Sequence, residues 1–168
     1  AIGLEDRTTL IVGRNNSGKT SIAELFRRLL GEKSLSFKIE DFSLGCHECF
    51  WNAFESLQAG GSAPDVVALL PSIKVTIDIA YDVNAPDLGP LSDCIVDLDP
   101  ACSEARLVLT YGPRPTAPAT LFADIAVGED AAVNRLNLFR ALGARLAGAY
   151  ATTLEAVDPN DPTNRKSL

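Results

Sequence analysis

The stretch from Thr8 to Thr20, Thr-Thr-Leu-Ile-Val-Gly-Arg-Asn-Asn-Ser-Gly-Lys-Thr, decides the fold class of this 168-residue chain. Its first five residues are β-branched or apolar and end at Gly13, a pattern typical of a short strand buried on both faces of a sheet. Beyond the glycine-rich turn, apolar residues recur at helical spacing up to Gly31, a natural helix stop. This apolar stripe consists of Ile22, Leu25, Phe26, Leu29 and Leu30. The order strand, loop and helix predicts an α/β fold.

Residues 13–20 match the pattern G-x-x-x-x-G-K-[ST] of a P-loop, and each position has a chemical reason. Gly13 and Gly18 allow backbone N–H groups to face a phosphate closely, and the following helix adds its free N–H groups. Lys19 supplies a charge to the β- and γ-phosphates as the catalytic group, and the Thr20 hydroxyl suits Mg²⁺. The sequence therefore predicts binding of ATP with Mg²⁺. The predicted nucleotide-binding residues are Gly13, Arg14, Asn15, Asn16, Ser17, Gly18, Lys19, Thr20 and Ser21.

The alternative interpretation of this loop is a glycine-rich turn with no ligand. In a chain of this length and average residue usage, a chance match to the pattern occurs on the order of 1% of the time or less. The context that a P-loop requires, a buried strand before and an amphipathic helix after, is also present in the pattern. These two arguments favour phosphate binding.

Composition and charge narrow the function classes. Hydrophobic residues make up 46% and charged residues 22%, as in ordinary globular proteins, and no apolar run reaches the roughly 20 residues that span a bilayer. We therefore expect a cytoplasmic protein without membrane contact, whose four cysteines are reduced. Residues 46–110 carry ten acidic and two basic side chains, which disfavours nucleic-acid binding there. Because position 1 is alanine and methionine is absent, we expect a lobe that is incomplete at both ends.

Beyond the P-loop unit, the patterns alternate between helix and strand. Apolar spacing predicts a helix over 46–58, alternation predicts strands over 73–79, 94–98 and 106–111, and helical spacing returns over 131–150. The apolar positions of that last helix are Val133, Leu136, Phe139, Leu142 and Leu146. Three prolines indicate an exposed loop: Pro113, Pro115 and Pro118. We predict one lobe over 1–168, divided into a P-loop segment 1–45, a helical segment 46–71, an antiparallel β-layer 72–128, and a helix with an exit loop 129–168.

Other reactive residues offer weaker signals. The run Cys46-His47-Glu48-Cys49 is half of a zinc pattern, but Cys94 and Cys102 lie too far apart to complete it, which favours packing thiols without a metal. His47 is the only histidine. The acidic pairs Asp97/Asp99 and Asp158/Asp161 stand at turn-like places, where solvated turn residues are more common than catalytic carboxylates.

The loop Gly-x-Asn-Asn-Ser-Gly-Lys-Thr followed by Ser21 resembles the ABC-type ATPase heads of the SMC and RecF group, most closely the OLD family (overcoming lysogenization defect). Asn16 stands where many ABC heads have glycine. Residues 39–51 and 155–164 are similar to OLD-like proteins as well. The resemblance implies the first lobe of a P-loop ATPase head, with a mixed sheet, an antiparallel β-layer and flanking helices. It also implies a homodimer formed through the heads, and coupling of ATP hydrolysis to DNA processing by an endonuclease or in repair or defence.

The resemblance also implies machinery that this sequence does not contain. There is no Leu-Ser-Gly-Gly signature and no apolar strand ending in Asp-Glu as a Walker B motif, and Gln58, the only glutamine, ends a predicted helix. We therefore expect hydrolysis to need parts beyond Leu168, so that this chain alone is inactive. Two alternatives stay open: a P-loop kinase that acts on a small molecule, and a nucleotide-binding scaffold without turnover.

Overall fold

The computed structural model describes residues 2–4, 9, 19–31, 35–85, 87–96, 99 and 101–168. The chain divides into two compact units, Ala1–Leu35 and Ser36–Leu168. In the first unit one helix is described, α1 (Lys19–Gly31). The predicted strand at 8–12 lies outside the described residues except for Thr9. The helix predicted after the glycine-rich loop is confirmed, and it extends to Gly31.

The second unit combines helices with an antiparallel sheet. Its helices are α2 (Leu44–Gln58), α3 (Ala63–Leu69), α4 (Ala117–Leu121) and α5 (Ala131–Ala149). Its strands are β1 (Ile73–Ala80), β2 (Glu104–Pro113), β3 (Tyr150–Val157) and β4 (Arg165–Ser167). Short 3₁₀ turns cover Ile39–Asp41 and Gly89–Cys94. The described residues thus combine helices and strands, which confirms the predicted α/β class.

The four strands pair antiparallel in the order β1-β2-β3-β4. In β1 the side chains of Ile73, Val75, Ile77 and Ile79 are half-buried and alternate with exposed neighbours, which confirms the predicted period of two. Their partners across β2 are Tyr111, Leu109, Leu107 and Ala105. One face of the sheet is therefore apolar. The opposite face of this pair carries the ion pair between Arg106 Nε and Asp78 Oδ1, at 2.6 Å.

An aromatic cluster lies between the sheet and the first helices of the second unit. The ring of Tyr150 lies 5.2 Å from that of Tyr111, 6.0 Å from Phe42 and 6.4 Å from Phe50, measured between centroids. The Tyr150 hydroxyl donates to the carbonyl of Pro71 at 2.8 Å, so the buried phenol keeps a hydrogen bond. Burial raises the pKa of Tyr150 well above its usual value, and this phenol is neutral at physiological pH.

The strand predicted at 94–98 is wrong where the structure describes it. Cys94 ends a 3₁₀ turn, and Ile95 and Val96 are in no strand, while 97 and 98 lie outside the described residues. The turn chemistry overrides the short alternation, because Pro90 lies in the first turn and the Ser92 hydroxyl donates to the Gly89 carbonyl at 2.7 Å.

The proline-rich loop is also corrected. Only Pro115 is exposed and outside regular structure; Pro113 is the last residue of β2, and Pro118 is buried in the first turn of α4. Proline is well suited to a first helical turn, because the N–H group it lacks has no helical acceptor there.

The predicted helix at 131–150 is confirmed as α5, and Leu142 and Leu146 are buried as predicted, but the core positions predicted in its first half are wrong. Val133 and Leu136 are 49% and 50% exposed, and Phe139 is half-buried. The buried residues are Asn134, Leu138, Leu142, Leu146 and Ala149. Hydrogen bonding explains this choice of face, because the Asn134 side chain donates to Gly128 O and accepts from Gly128 N, both at 2.8 Å. This pair of hydrogen bonds holds Asn134 on the inner side of α5, and the later buried residues of the helix follow it at intervals of about one helical turn.

The last segment of the chain contributes to the sheet. Residues 129–168 were assigned to a helix and an exit loop, whereas the structure places β3 directly after α5 and the short β4 at Arg165–Ser167. Strand β3 pairs along its full length with β2, from Tyr150 opposite Pro113 to Val157 opposite Arg106. It is therefore an interior strand. Whether the four predicted segments are the true divisions of the chain stays a prediction.

Candidate nucleotide-binding site

Helix α1 begins at Lys19, directly after the glycine-rich loop. The side chains of Thr20 and Ser21 are exposed in its first turn. The first N–H groups of any helix lack partners within the helix, and together with the helix dipole they stabilise an anion at that end. Residues 13–18 and the side chain of Lys19 lie outside the described part of the chain, so their roles stay predictions. The described start of α1 fits a phosphate site.

The charges along α1 favour an anion at its start. No acidic side chain occurs in the first turn, and the first carboxylate is Glu24. Glu24 pairs with Arg27 at 2.8 Å and with Arg28 at 2.9 Å. The hydrogen bonds from Arg27 and then Arg28 lower the pKa of Glu24 to about 2. The only acidic residue of the helix is therefore held by two arginines one to two turns away from the predicted phosphates.

The described helix after the loop has the amphipathic character that a P-loop helix needs. Ile22, Leu25, Phe26 and Leu29 are half-buried, whereas Ala23 and Arg27 are exposed. Thus α1 has one apolar side and one solvated side, with the Thr20 and Ser21 hydroxyls free for a ligand at its beginning. A threonine hydroxyl at this position is a suitable oxygen ligand for Mg²⁺ bound to a nucleotide. The described residues fit ATP and Mg²⁺.

The acidic residues of the two pairs hold turns where the structure describes them. Asp158 accepts hydrogen bonds from the backbone of Asn160 at 2.7 Å and of Asp161 at 3.1 Å, which lower its pKa. Asp161 accepts from Thr163 N at 3.0 Å. Asp99 accepts from Ala101 N at 2.8 Å, and Asp97 lies outside the described residues. The turn interpretation is confirmed for the three described residues, although Asp158 is buried, not solvated.

The thiols of the chain are dispersed. Cys46 and Cys49 lie on α2, Cys94 ends a 3₁₀ turn, and Cys102 is buried just before β2. Across the residues that the structure describes, no group of three or more histidine, cysteine or acidic side chains is placed to hold a metal ion. The absence of zinc from Cys46 and Cys49 remains a prediction for the purified protein.

A shallow groove in the second unit was not foreseen. It has a volume of about 340 Å³ and is lined by Ile39, Glu40, His47, Leu136, Phe139 and Arg140. The imidazole of His47 lies 4.9 Å from the ring of Phe139, and its buried Nε2 has no hydrogen-bond partner. No pattern in the sequence brings residues near 40, 47 and 140 together, so the groove follows only from the packing of α2 against α5.

A family model described as an AAA ATPase domain matches residues 1–135. The chain belongs to this family. The match covers the glycine-rich loop, α1 and the strands β1 and β2, and ends in the first part of α5. Membership in the AAA ATPase domain family supports ATP binding and hydrolysis in general, with the use of a nucleotide and typically of Mg²⁺. Comparison with curated proteins and with solved structures gives no significant match. In the described residues, no helix is long and apolar enough to cross a membrane.

Proposed function

We propose that this chain is the first lobe of an OLD-like, ABC-type ATPase head, in which ATP bound by residues 13–20 brings two heads together and its hydrolysis drives DNA processing. The observation that carries the proposal is the junction between the loop and α1. The pattern G-x-x-x-x-G-K-[ST] runs directly into a helix that begins at Lys19 and has exposed hydroxyls in its first turn. The family match over residues 1–135 supports the ATPase part of the proposal.

The residues of the loop have different tasks. Lys19 would hold the β- and γ-phosphates, and the hydroxyl of Thr20 would hold Mg²⁺ on the nucleotide. When bound, Mg²⁺ neutralises charge on the phosphates and orients them. The first-turn N–H groups of α1 stabilise the same charge without any movement of side chains. All these contacts exist before and during the reaction, so they bind ATP more than they accelerate its cleavage.

Hydrolysis requires a group that orients the attacking water, and the sequence shows no motif of that kind. A partner head would supply the missing signature motif, as the resemblance implies. We therefore place ATP binding in this chain and turnover in the paired heads. The acidic stretch 46–110, with a net charge of −8, disfavours contact with DNA phosphates, so the proposed DNA contact belongs to other surfaces.

The test compares the 168-residue chain with the protein that contains it. We expect the chain to bind Mg²⁺ and ATP in calorimetry while releasing phosphate no faster than background. We expect the longer protein to hydrolyse ATP, to dimerise in the presence of ATP, and to respond to added DNA. Lys19-dependent turnover by the isolated chain at the rate of the longer protein would contradict the proposed division of the site.

The same measurements separate the alternatives. A small-molecule kinase would form ADP in proportion to a phosphorylated acceptor, with little free phosphate. A scaffold that only binds the nucleotide would produce neither ADP nor phosphate, with or without DNA. Either result would contradict the proposed ATPase activity, but both are compatible with nucleotide binding.

A further inference from the structure

Cys46 and Cys49 lie one helical turn apart on the inner face of α2. Together with Phe50 and Ala53 they occupy positions i, i+3, i+4 and i+7 of the helix. Phe50 and Ala53 have no exposed surface, whereas both cysteines are half-buried. The two thiols thus stand where the buried face of α2 reaches the protein surface, and small reagents can reach them.

The spacing of the pair is compatible with a disulfide. Helix geometry places Cα atoms three residues apart at about 5 Å, within the range of about 4.4–6.8 Å found across disulfides. The Cβ atoms of such a pair lie about 5–6 Å apart, which is longer than the roughly 3.5–4.5 Å of a relaxed bridge. Closing the bond therefore requires a local tightening of α2. A bridge under such strain is easily reduced, as reversible disulfides are.

The surroundings of the two sulfur atoms differ. Ser43, the residue before α2, lies with its Oγ 3.3 Å from Cys46 Sγ, where the hydroxyl can donate to a thiolate. Cys49 Sγ instead donates to the carbonyl of Gly45 at 3.9 Å, within the helix. Cys46 is therefore the better attacking group.

By their helical spacing, Cys46 and Cys49 share the side of α2 that carries the buried Phe50 and Ala53. The charge that each thiol would carry as a thiolate raises the pKa of Tyr150, after the larger effects of burial and of Tyr111. Tyr150 lies under α2, with its ring 6.4 Å from that of Phe50. The face of α2 that carries the two cysteines is therefore the face that packs over Tyr150.

We propose that Cys46 and Cys49 form a reversible intramolecular disulfide by exchange with a low-molecular-weight disulfide, RSSR. The Cys46 thiolate attacks one sulfur of RSSR, the S–S bond breaks, and RS⁻ leaves and takes up a proton. Cys49, after losing its proton to solvent, attacks the Cys46 sulfur of the mixed disulfide and releases the second RS⁻. Two protein thiols are oxidised and one RSSR is reduced to two RSH, so atoms and electrons balance.

The remaining cysteines serve as internal references. Cys102 is 8% exposed, and its Sγ donates to Glu104 O at 3.4 Å. Cys94 is half-buried like the pair, and its Sγ donates to Pro90 O at 3.9 Å. Neither has a second cysteine one turn away. Cys94 therefore matches the pair in exposure but lacks a resolving thiol.

The experiment treats the reduced 168-residue chain with oxidised glutathione and follows each cysteine by peptide mass mapping. We expect the peptide that contains residues 46–49 to lose two hydrogen atoms, without a glutathione adduct, and to recover them with dithiothreitol. In Cys49→Ser the reaction should stop at a glutathione adduct on Cys46. In Cys46→Ser no bridge should form, and Cys94→Ser should behave as the unmodified sequence does. Circular dichroism confirms the fold of each variant, and Cys→Ala replacements serve where a serine variant is unfolded.

Three outcomes would overturn the proposal. Stable glutathione adducts on both cysteines would show that the pair cannot close. Modification of Cys94 while Cys46 and Cys49 stay reduced would show that the pair has no special reactivity. Stoichiometric zinc in the purified protein that disappears in the Cys46→Ser, Cys49→Ser double variant would show that these thiols are metal ligands.

Discussion

Lys19 has the most specific chemical task proposed for any single residue of the chain. It is the first residue of α1, so the backbone places it at the positive end of the helix. An ammonium group at that point adds a charge-assisted hydrogen bond to phosphate oxygens. Its contribution to nucleotide affinity can be measured separately from folding, because a residue at a helix start can be replaced by alanine with little effect on stability.

We predict that Lys19→Ala weakens ATP binding ten- to a hundredfold. A hydrogen bond to a charged group contributes about 1.5–3 kcal/mol, and about 1.4 kcal/mol corresponds to a factor of ten in affinity. Isothermal titration calorimetry checks the value. The matched control is Lys74→Ala, which removes the same charge from an exposed position on β1. Equal ATP affinity in the two folded variants would contradict the role given to Lys19.

Glu24 makes the stability of α1 depend on pH. The hydrogen bonds from Arg27 and Arg28 lower the pKa of its carboxyl in the folded chain to about 2, from 4.5 for the isolated group. A carboxylate with a lowered pKa stabilises the fold above its unfolded pKa, and this contribution is lost as pH falls toward the folded pKa. The relevant window therefore runs from pH 4.5 down to about 2.

We predict that Glu24→Gln removes part of the pH dependence of the free energy of unfolding in that window. The amide has no charge to lose, so its two arginine contacts do not change with acidification. Because the group is exposed, solvent screening keeps the effect small. Urea unfolding at several pH values measures it, with Glu129→Gln as the exposed control. If the free energy of unfolding of the two variants shows the same pH dependence, the ion pairs of Glu24 do not stabilise the folded chain.

At the scale of elements, α5 shows how one polar residue determines a helix face. Hydrophobic spacing predicted Leu142 and Leu146 correctly, but in the first half of the helix it selected the exposed Leu136 instead of the buried Leu138. The amide of Asn134 makes two hydrogen bonds to Gly128, and the Asp130 side chain caps the helix by accepting from Ala132 N and Val133 N. These contacts fix the rotation of the helix at its first turn, before any leucine is placed.

We predict that Leu138→Ala lowers the free energy of unfolding by about 2–5 kcal/mol, the usual cost of a cavity at a buried leucine. Leu136→Ala, two residues away on the same helix, should cost within about 0.5 kcal/mol, as most surface substitutions do. Both variants remove the same atoms at the same helix propensity, so their difference isolates burial. Chemical denaturation gives the two values. If both variants lose equal free energy of unfolding, or Leu136→Ala loses more, Leu136 belongs to the core as the hydrophobic spacing predicted.

At the scale of the whole molecule, the sheet and the aromatic cluster belong to one compact unit. The strand pairings among the described residues join positions between 73 and 167, and the cluster of Phe37, Phe42, Phe50, Tyr111 and Tyr150 lies within Ser36–Leu168. The residues predicted to bind phosphate all lie in Ala1–Leu35. The predicted nucleotide-binding residues and the described β-core therefore belong to separate units.

We predict that a chain of residues 36–168 folds without the first 35 residues but does not bind ATP. Its own strand pairs and apolar residues supply a sheet and a core, whereas every residue of the glycine-rich loop is removed. Circular dichroism and cooperative thermal unfolding report the fold, and calorimetry reports the nucleotide. A truncated chain without cooperative unfolding would show that the β-core depends on the first unit.

Local features of the sequence determined the elements whose signals are short in range. The glycine-rich pattern with its helical stripe predicted α1, and strict alternation predicted β1, because each depends on neighbours within one or two turns. The prediction of the nucleotide-binding residues rests on the pattern alone. The family match covers them without describing their contacts.

Tertiary structure decided what local periodicity cannot express. Strand β3 exists because β2 offers hydrogen bonds from Arg106 to Pro113, not because residues 150–157 alternate. The buried face of α5 depends on Asn134 reaching Gly128, and the proximity of His47 to Phe139 depends on helices almost a hundred residues apart in the chain. These interactions join residues that are remote in sequence. They contribute to stability only after folding has brought the partners together, so local periodicity cannot predict them.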